Sequence, residues 1–377
     1  MASPDTPSNL DHLSFDGTTK PPSNWYVDPM HLAREQEMVF QNLWHWVGRV
    51  DQLVQVGDYI TCEVVQEPIV VVKGEDGELR AFSNVCLHRA GPVARDNGNT
   101  KYFRCFYHGW TYDLAGQLRA TPQYERQEKD SSCLPQMRVE TWGPFVFVNL
   151  DPDSASLSDS LGDLRNRFVE YRLEDLSFRR QVVLEADCNW KVLEENAREC
   201  YHCFRVHPYF TAAYEVENAI TETFDLGSFL FVEQRNNTLP IKSDESAASL
   251  TRDIAEFRRR SPARRGLQGQ DATGLYFVFP FPNFYLTLSP DHMSATRIVP
   301  VDVERMRLVR DFFFEPDETQ EIVDDNIEFR IQNMKEDLEI CESVQRGLHS
   351  RFHNPGRYTP KELAVRHFHS LLRRMLQ

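Results

Sequence analysis

The sequence lacks any run of about 18 apolar residues, the length that a membrane-spanning helix needs. Its first residues, MASPDTPSNLDHLSFDG, lack the basic stretch followed by an apolar stretch that marks a secretory signal. Basic residues are outnumbered, with 42 Lys and Arg against 57 Asp and Glu, and the net charge of −15 argues against nucleic acid as a partner. We therefore expect a cytoplasmic protein that binds neither a membrane nor nucleic acid.

The 377 residues suffice for two domains, and the character of the sequence changes along the chain. Residues 46–155 contain short β-rich runs such as PIVVVKG and GPFVFVNLD, with GEDGE and DLAGQ as turns, which predicts a small all-β domain. The polar segment DPDSASLSDSLGD marks a domain boundary. Residues 156–377 mix strand and helix patterns and predict an antiparallel sheet with helices. The predicted fold class is α+β.

Helices are predicted at both ends of the chain. In the N-terminal segment, residues 1–45, a helix begins with Asp28 as its N-cap and Pro29 in its first position, and we expect it to pack on the C-terminal domain. A long helix runs from ETQEIVDD to QRGL with apolar side chains at helical spacing. The last helix is capped by Thr359. The polar, Arg-bearing insert at 236–272 is interpreted as a loop or lid.

The segment CLHRAG…CFYHGW carries two Cys–His pairs at matched positions, namely Cys86, His88, Cys105 and His108. Two thiolates and two imidazoles could bind one tetrahedral zinc ion, or a [2Fe–2S] cluster with the cysteines on one iron and the histidines on the other. Each pair lies in a loop after a strand, with Gly91 and Gly109 allowing tight turns. Zinc fingers usually place their histidines on a helix, so the context favours the cluster.

A second set of possible metal ligands lies in NWKVLEENARECYHCFRVHP. Asn196, Glu199 and His202 are three residues apart and share one face of the helix predicted for ADCNWKVLEENARECYHCF. His207 lies about 140 degrees further round such a helix. Both histidines reach one ion only if the helix ends near Pro208.

Two histidines and one distant carboxylate form the facial triad of non-haem Fe(II) oxygenases. The carboxylates of the late helix compete for the third position. Asp337 borders the apolar face of that helix, whereas Glu336 and Glu339 are predicted to be more solvated. The pattern alone favours Asp337 without excluding the others.

The sequence CLHRAG…CFYHGWTYDLAG resembles the Rieske motif, C-x-H…C-x-x-H-G-W. From PPSNWYVDP to ELAVRHFH the chain resembles the oxygenase alpha subunit of the Rieske non-haem iron oxygenases. The resemblance implies a Rieske domain followed by a helix-grip catalytic domain. It places Cys86 and Cys105 on the inner iron of the cluster, and His88 and His108 on the outer iron. Imidazole in place of thiolate raises the reduction potential.

The same resemblance implies that His202, His207 and Asp337 bind a mononuclear Fe(II). It also gives Glu199 the role of a bridge that carries electrons from His108 of one chain to His202 of its neighbour, so that a head-to-tail homotrimer is expected. Many family members have Asp in the position of Glu199, and the Glu is a departure from that pattern. Electrons are implied to come from NAD(P)H through a separate flavin/iron–sulfur reductase, with dioxygen as co-substrate.

The stretches ENARECYHC, PPSNWYVDP and FPNFYLTLSPDHM are most similar to the branch that oxidises quaternary ammonium compounds, which includes choline, glycine betaine, carnitine and stachydrine oxygenases. Aromatic faces hold such cations. The candidates for such walls are Phe204, Phe210, Tyr214, Phe277, Phe279, Phe281, Phe284 and Tyr285. Aromatic residues that alternate along a strand, as several of these do, more often belong to the ordinary core of a sheet. The basic run Arg258 to Arg260 could dock a reductase or be a solvated loop.

Two other functions are compatible with the motifs. One is an oxygenase that hydroxylates an aromatic ring or removes an O-methyl group, with the same metals and a different pocket. The other is an electron-transfer Rieske protein without oxygenase activity. The residues beyond the cluster domain and the predicted iron ligands argue against the second.

Overall fold

A computed structural model describes residues 19–123, 132–233, 263–264 and 266–377. The chain divides into two compact units, Glu35–Leu176, and the residues up to Arg34 together with Ser177–Gln377. Most of the predicted insert at 236–272, including Arg258 to Arg260, lies outside the described residues. Within the described ranges, none of the helices is both long and apolar enough to cross a membrane.

The N-terminal segment begins with two helices, α1 (Asn24–Val27) and α2 (Pro29–Met38). The carboxylate of Asp28 accepts a hydrogen bond from the backbone N–H of Met30 at 2.9 Å, which confirms Asp28 as a cap and Pro29 as the first residue of α2. The carbonyl of Tyr26 accepts hydrogen bonds from the side chains of Asn189 and Gln345 at 3.2 and 3.3 Å. These bonds fix the start of the described chain to the C-terminal unit.

The unit Glu35–Leu176 is built on two antiparallel sheets. The larger has the order β1-β10-β9-β4-β3-β2-β5 and the smaller the order β6-β7-β8. The strands are β1 His45–Arg49, β2 Asp58–Val64, β3 Glu67–Lys73, β4 Leu79–Ser83, β5 Gly98–Asn99, β6 Phe103–Arg104, β7 Thr111–Tyr112, β8 Leu118–Ala120, β9 Gln136–Trp142 and β10 Phe145–Asn149. Two short helices follow, α3 (Leu157–Leu161) and α4 (Leu164–Arg167).

The β-rich pattern of this region therefore predicts its architecture correctly. Strand β3 has four consecutive buried residues because its side chains face a core on each side of the sheet. One of these cores contains Val70 and Phe82 together with the two predicted cluster cysteines, Cys86 and Cys105. The loops that carry the Cys–His pairs are thus fixed at the edge of a packed core.

The C-terminal unit contains a seven-stranded antiparallel sheet with the order β11-β17-β16-β15-β14-β13-β12. Its strands are β11 Ser177–Ala186, β12 Ile220–Phe224, β13 Gly227–Glu233, β14 Gly274–Pro280, β15 Phe284–Leu288, β16 His292–Asp302 and β17 Arg305–Phe314. Its helices are α5 Trp190–Ala197, α6 Cys203–Val206, α7 Pro208–Ala213, α8 Gln320–Leu348 and α9 Leu363–Met375. The predicted sheet with helices, and the α+β class, are confirmed.

The long helix α8 lies on this sheet. Its N-cap is Thr319, whose hydroxyl accepts a hydrogen bond from the third residue of the helix. Val323 and Ile327, on the apolar face, pack with Phe312 and Phe314 of β17. The predicted helical periodicity is confirmed. This packing fixes the rotation of α8 about its own axis, and so determines which of its polar residues face the predicted iron site.

Helix α5 carries a buried ion pair that we expect to be important for stability. Glu194 and Arg198 are almost completely buried, and a guanidinium nitrogen of Arg198 lies 2.8 Å from a carboxylate oxygen of Glu194. Burial raises the pKa of Glu194 to about 7, although the charge of Arg198 opposes that rise. Glu194→Ala is expected to lower the free energy of unfolding by about 3–5 kcal/mol, because Arg198 would remain buried without its partner. Urea titration of the two proteins measures this difference.

Candidate metal centres and pocket

The two Cys–His loops have matching backbone hydrogen bonds. The N–H of Cys86 donates to the carbonyl of Gly91 at 2.9 Å, and the N–H of Cys105 donates to that of Trp110 at 2.8 Å. Gly109 has a φ of +76°, which confirms the tight turn predicted there. Gly91 has a different role, because a Cβ atom at this position would lie only 3.2 Å from the sulfur of Cys105. The absence of a side chain therefore allows the two loops to approach each other closely.

The four side chains of these loops divide into a buried pair and an exposed pair. Cys86 and Cys105 are buried, whereas His88 and His108 are exposed and have ring centroids 4.6 Å apart. A [2Fe–2S] cluster with thiolates on an inner iron and imidazoles on an outer iron fits this arrangement. The side chains present therefore suit the cluster, with the histidine end at the surface of the chain.

Two groups that can donate hydrogen bonds to the sulfur atoms lie nearby, and neither was predicted from the sequence. The hydroxyl of Tyr112 lies 3.3 Å from the Cys86 sulfur and also accepts the N–H of Leu87. The backbone N–H of Tyr107 donates to the Cys105 sulfur at 3.5 Å. Donors to cluster sulfurs stabilise the reduced, more negative state and so raise the reduction potential.

Tyr112→Phe is expected to lower the potential of the cluster by about 40 mV. One net hydrogen bond contributes about 1 kcal/mol, and 59 mV corresponds to a tenfold change for a one-electron couple. Redox titration followed by electron paramagnetic resonance measures the shift. Tyr59→Phe is a suitable control, because the Tyr59 hydroxyl donates to the Arg95 carbonyl rather than to a sulfur. A potential equal to that of the wild type would show that Tyr112 does not tune the cluster.

The backbone around the second site differs from the prediction. A helix through ADCNWKVLEENARECYHCF was expected to place Asn196, Glu199 and His202 on one face, but α5 ends at Ala197 and α6 begins only at Cys203. Arg198 is the C-cap of α5, where its guanidinium is held by Glu194. The prediction of one continuous helix is therefore wrong.

The break places both histidines at helix boundaries. His202 is the N-cap of α6, and His207 lies between α6 and α7, where Pro208 begins α7. The helix end expected near Pro208 is confirmed. The break before Cys203 was not foreseen, and together the two interruptions turn the imidazoles towards each other, with ring centroids 5.2 Å apart.

His202, His207 and Asp337 converge on one point. The Nε2 atoms of the two histidines lie 3.4 and 2.8 Å from the same carboxylate oxygen of Asp337. The ligand atoms of all three lie within 4.8 Å of one another. Two imidazole nitrogens and one carboxylate oxygen are the donor set of a 2-His-1-carboxylate iron site. These side chains suit a mononuclear iron, and their role as its ligands stays a prediction.

Each histidine has a carboxylate behind it. The Nδ1 atom of His202 lies 2.7 Å from Glu199, and the Nδ1 atom of His207 lies 2.7 Å from Glu336. Such a contact keeps the proton on Nδ1 and leaves Nε2 free for a metal. Glu336 was predicted to be more solvated, but its side chain is only 21% exposed. Its position next to Asp337 was the only sequence signal for this role.

The charges at this site depend on one another. Burial alone would raise the pKa of Asp337, but hydrogen bonds from His202 and His207 hold it at about 2. For His202 the signs are reversed. Burial lowers its pKa, but its hydrogen bonds to Asp337 and Glu199 outweigh burial and raise that pKa to about 10. A divalent cation would take the place of the protons on Nε2.

A pocket of about 600 Å³, including its open mouth, adjoins the three converging side chains. Its walls consist of Ala197, Glu199, Cys200, His202, Cys203, His207, Phe210, Leu230, Phe277, Tyr285, Thr287, Arg310, Arg330, Asn333, Met334 and Asp337. Of the eight aromatic residues proposed as walls for a cation, Phe210, Phe277 and Tyr285 line the pocket. Two arginines, Arg310 and Arg330, line it as well and were not predicted.

The other aromatic candidates have different positions. Phe279, Phe281 and Phe284 are buried but do not line the pocket, which agrees with ordinary sheet packing. Tyr214 stacks on Phe210 from behind, with ring centroids 4.7 Å apart. Phe204 is largely exposed on the surface of the chain.

Each of two regions of the chain matches a known protein family. Residues 173–377 match the family described as ring hydroxylating alpha subunit (catalytic domain), and residues 43–141 match the Rieske [2Fe-2S] domain. The chain belongs to the Rieske oxygenase alpha subunits. The match over the catalytic domain excludes a Rieske protein that only transfers electrons.

Several members of this family are similar along almost the whole chain. Choline monooxygenase of Arabidopsis thaliana, a chloroplastic enzyme, is 30% identical over 97% of this chain and 85% of its own length. The carnitine monooxygenase oxygenase subunit of Acinetobacter pittii is 31% identical over 88% and 85%. The quaternary ammonium Rieske monooxygenase CntA, solved with its substrate L-carnitine, has a TM-score of 0.78 at 27% identity over 96% of each chain.

This Rieske oxygenase alpha subunit is therefore a monooxygenase that carries a Rieske [2Fe–2S] cluster and a mononuclear non-haem iron. It is the oxygenase subunit of a system with more than one component, which depends on a reductase. The predicted fold, enzyme class and cofactors are confirmed.

Proposed function

We propose that this oxygenase uses dioxygen and electrons from a separate NAD(P)H-dependent flavin/iron–sulfur reductase to hydroxylate or N-demethylate a quaternary ammonium compound of the choline, glycine betaine, carnitine or stachydrine class. The observation that carries the proposal is the pocket beside His202, His207 and Asp337, which has aromatic walls formed by Phe210 and Phe277. Aromatic faces attract a cation that cannot donate hydrogen bonds. The named relatives support the same class of substrate.

The side chains of this chain have distinct parts in the proposed reaction. His202, His207 and Asp337 hold the mononuclear iron, which activates dioxygen when bound. Glu199 and Glu336 keep the proton of each imidazole on Nδ1. The apolar walls exclude water from the substrate. Hydroxylation of an N-methyl group gives a carbinolamine, which then loses formaldehyde and leaves the demethylated amine.

We further propose that electrons enter through a Rieske cluster held by Cys86, His88, Cys105 and His108. Glu199 of a neighbouring chain would receive them from His108 and pass them to His202 of its own chain, which it contacts at 2.7 Å. In a single chain His108 is exposed and lies in an exposed apolar rim that includes Phe106 and Tyr107. A head-to-tail homotrimer would cover that rim. The proposed location is the cytoplasm, where the reductase would also be found.

A product screen tests the proposed function. The iron-loaded protein, a surrogate reductase, NADH and dioxygen are incubated separately with choline, glycine betaine, carnitine, stachydrine and a panel of aromatic acids, and products are identified by mass spectrometry. Conversion of a quaternary amine, with formaldehyde or an aldehyde formed in equal amount, is the expected result. Turnover of aromatic compounds alone would contradict it and would indicate the ring-hydroxylating or O-demethylating alternative.

A further inference from the structure

The pocket beside the predicted iron ligands contains two buried cationic side chains that the proposed function does not yet use. Arg310 on β17 is 7% exposed, and Arg330 on α8 is 6% exposed. Both line the pocket, and Arg330 precedes Asp337 by two helical turns on the same helix. A guanidinium is rarely buried without an anionic partner, so the contacts of each need explanation.

The partners of Arg310 are neutral oxygens. Its Nε atom donates to the hydroxyl of Thr296 at 2.7 Å, and a terminal nitrogen donates to the hydroxyl of Tyr285. Its guanidinium carbon lies 5.3 Å from the centre of the Tyr285 ring. These contacts fix the direction of the side chain. Among the described residues, no carboxylate oxygen lies within 4 Å of the guanidinium to balance its charge.

Arg330 is held in a similar way. A terminal nitrogen donates to the hydroxyl of Tyr214 at 3.3 Å, and its buried Nε atom has no hydrogen-bond partner among the residues that the structure describes. The charge of Arg330 acts on Asp291, but the described residues include no ion pair between the two. Oδ1 of Asp291 accepts a hydrogen bond from Ser289 at 2.7 Å and lies 2.8 Å from Nδ1 of His292. The guanidinium therefore keeps donors available, and the buried hydroxyl of Thr287 in the same wall is also without a partner.

We propose that Arg310 and Arg330 bind the carboxylate of the substrate. Guanidinium groups match a carboxylate in charge and in planar geometry, and such bonds are strongest where water is excluded. The inference rests on the proposed function and narrows it: the substrate is a betaine, with an ammonium group and a carboxylate in one molecule. Choline carries only the cation, so two fixed positive charges in the pocket disfavour it.

The test compares ligands that differ only in the carboxylate. Binding of γ-butyrobetaine and of its methyl ester to the iron-loaded wild-type protein is measured by calorimetry without dioxygen, so that no turnover is needed. Carnitine, glycine betaine, choline and benzoate are measured in the same way. We expect the acid to bind at least about 30-fold more tightly than the ester, since losing one partner of a buried, hydrogen-bonded charge pair weakens binding by that factor or more.

Variants assign the effect to the two arginines. Arg310→Gln and Arg330→Gln should each weaken binding of the acid by about 30-fold and leave the ester almost unchanged. Arg307→Gln on β17 and Arg346→Gln on α8 are matched controls, because both side chains are exposed and outside the pocket. The absorption spectrum of the cluster and the iron content establish that each variant is folded.

The results separate the two levels of the proposal. Equal binding of acid, ester and choline by the wild-type protein would overturn the arginine inference, even if the glutamine variants failed to fold. Tight, arginine-dependent binding of benzoate but of no betaine would support carboxylate binding by the two arginines, and would overturn the betaine substrate together with the quaternary ammonium function. Arginine-dependent binding of one or more betaines, with weak binding of choline, would support both.

Discussion

Glu199→Gln is expected to leave both metal sites filled and to lower coupled turnover by about 100-fold. In the folded chain the carboxylate of Glu199 contacts Nδ1 of His202 at 2.7 Å and accepts the backbone N–H groups of Tyr201 and His202. A glutamine can keep one of these contacts, but it has no charge with which to favour an imidazole proton. Iron content, cluster absorbance and product formed per NADH are the three measurements.

Glu336→Gln is the matched control for that variant. Glu336 contacts Nδ1 of His207 at the same distance of 2.7 Å, yet it has no proposed part in electron transfer. Because the two contacts are alike, either variant is expected to weaken iron binding by up to about 10- to 100-fold, and both proteins are therefore loaded with excess iron before assay. Glu336→Gln should then keep turnover per bound iron close to that of the wild type. If both variants lose turnover per bound iron equally, Glu199 acts only by orienting His202 and the bridge is wrong. Wild-type coupling in Glu199→Gln would also exclude the bridge.

The sequence predicts most of the architecture because its signals are local. The pairs Cys86-x-His88 and Cys105-x-x-His108 are short and stand at strand ends, so their residue types and spacing reveal the site from the local sequence. The apolar period of α8 predicts both that helix and the inward position of Asp337 at its edge. These features require no knowledge of distant contacts.

Features that depend on distant contacts could not be predicted in this way. The end of α5 at Ala197 coincides with the burial of Arg198 against Glu194 and the rings of Phe279 and Phe368, and those rings belong to later parts of the chain. The helical pattern of the sequence runs on past Ala197, although the helix itself ends there. The inward positions of Arg310 and Arg330 were missed for a related reason, since arginine is usually exposed and nothing in the local pattern shows a polar pocket.

Asp337→Ala is expected to reduce bound iron from three atoms per chain to two and to abolish product formation. Replacing a group that only orients a ligand weakens metal binding by about 10- to 100-fold, and the loss of a direct ligand should exceed that. The Rieske signal should remain, because the loops of Cys86 and Cys105 are built on the other unit. Iron analysis and electron paramagnetic resonance measure both sites. Iron retained at three atoms would show that another carboxylate is the ligand.

The Asp337→Ala chain also provides a decisive test of how electrons travel. A second variant, His108→Ala, loses a predicted ligand of the outer iron but keeps His202, His207 and Asp337 intact. Each variant alone should be inactive. If the chains are co-expressed in equal amounts and form mixed head-to-tail trimers, about one quarter of the sites pair an intact iron site with an intact neighbouring cluster, so about a quarter of wild-type activity should return. Transfer within one chain predicts no recovery, because no chain then contains both intact metals.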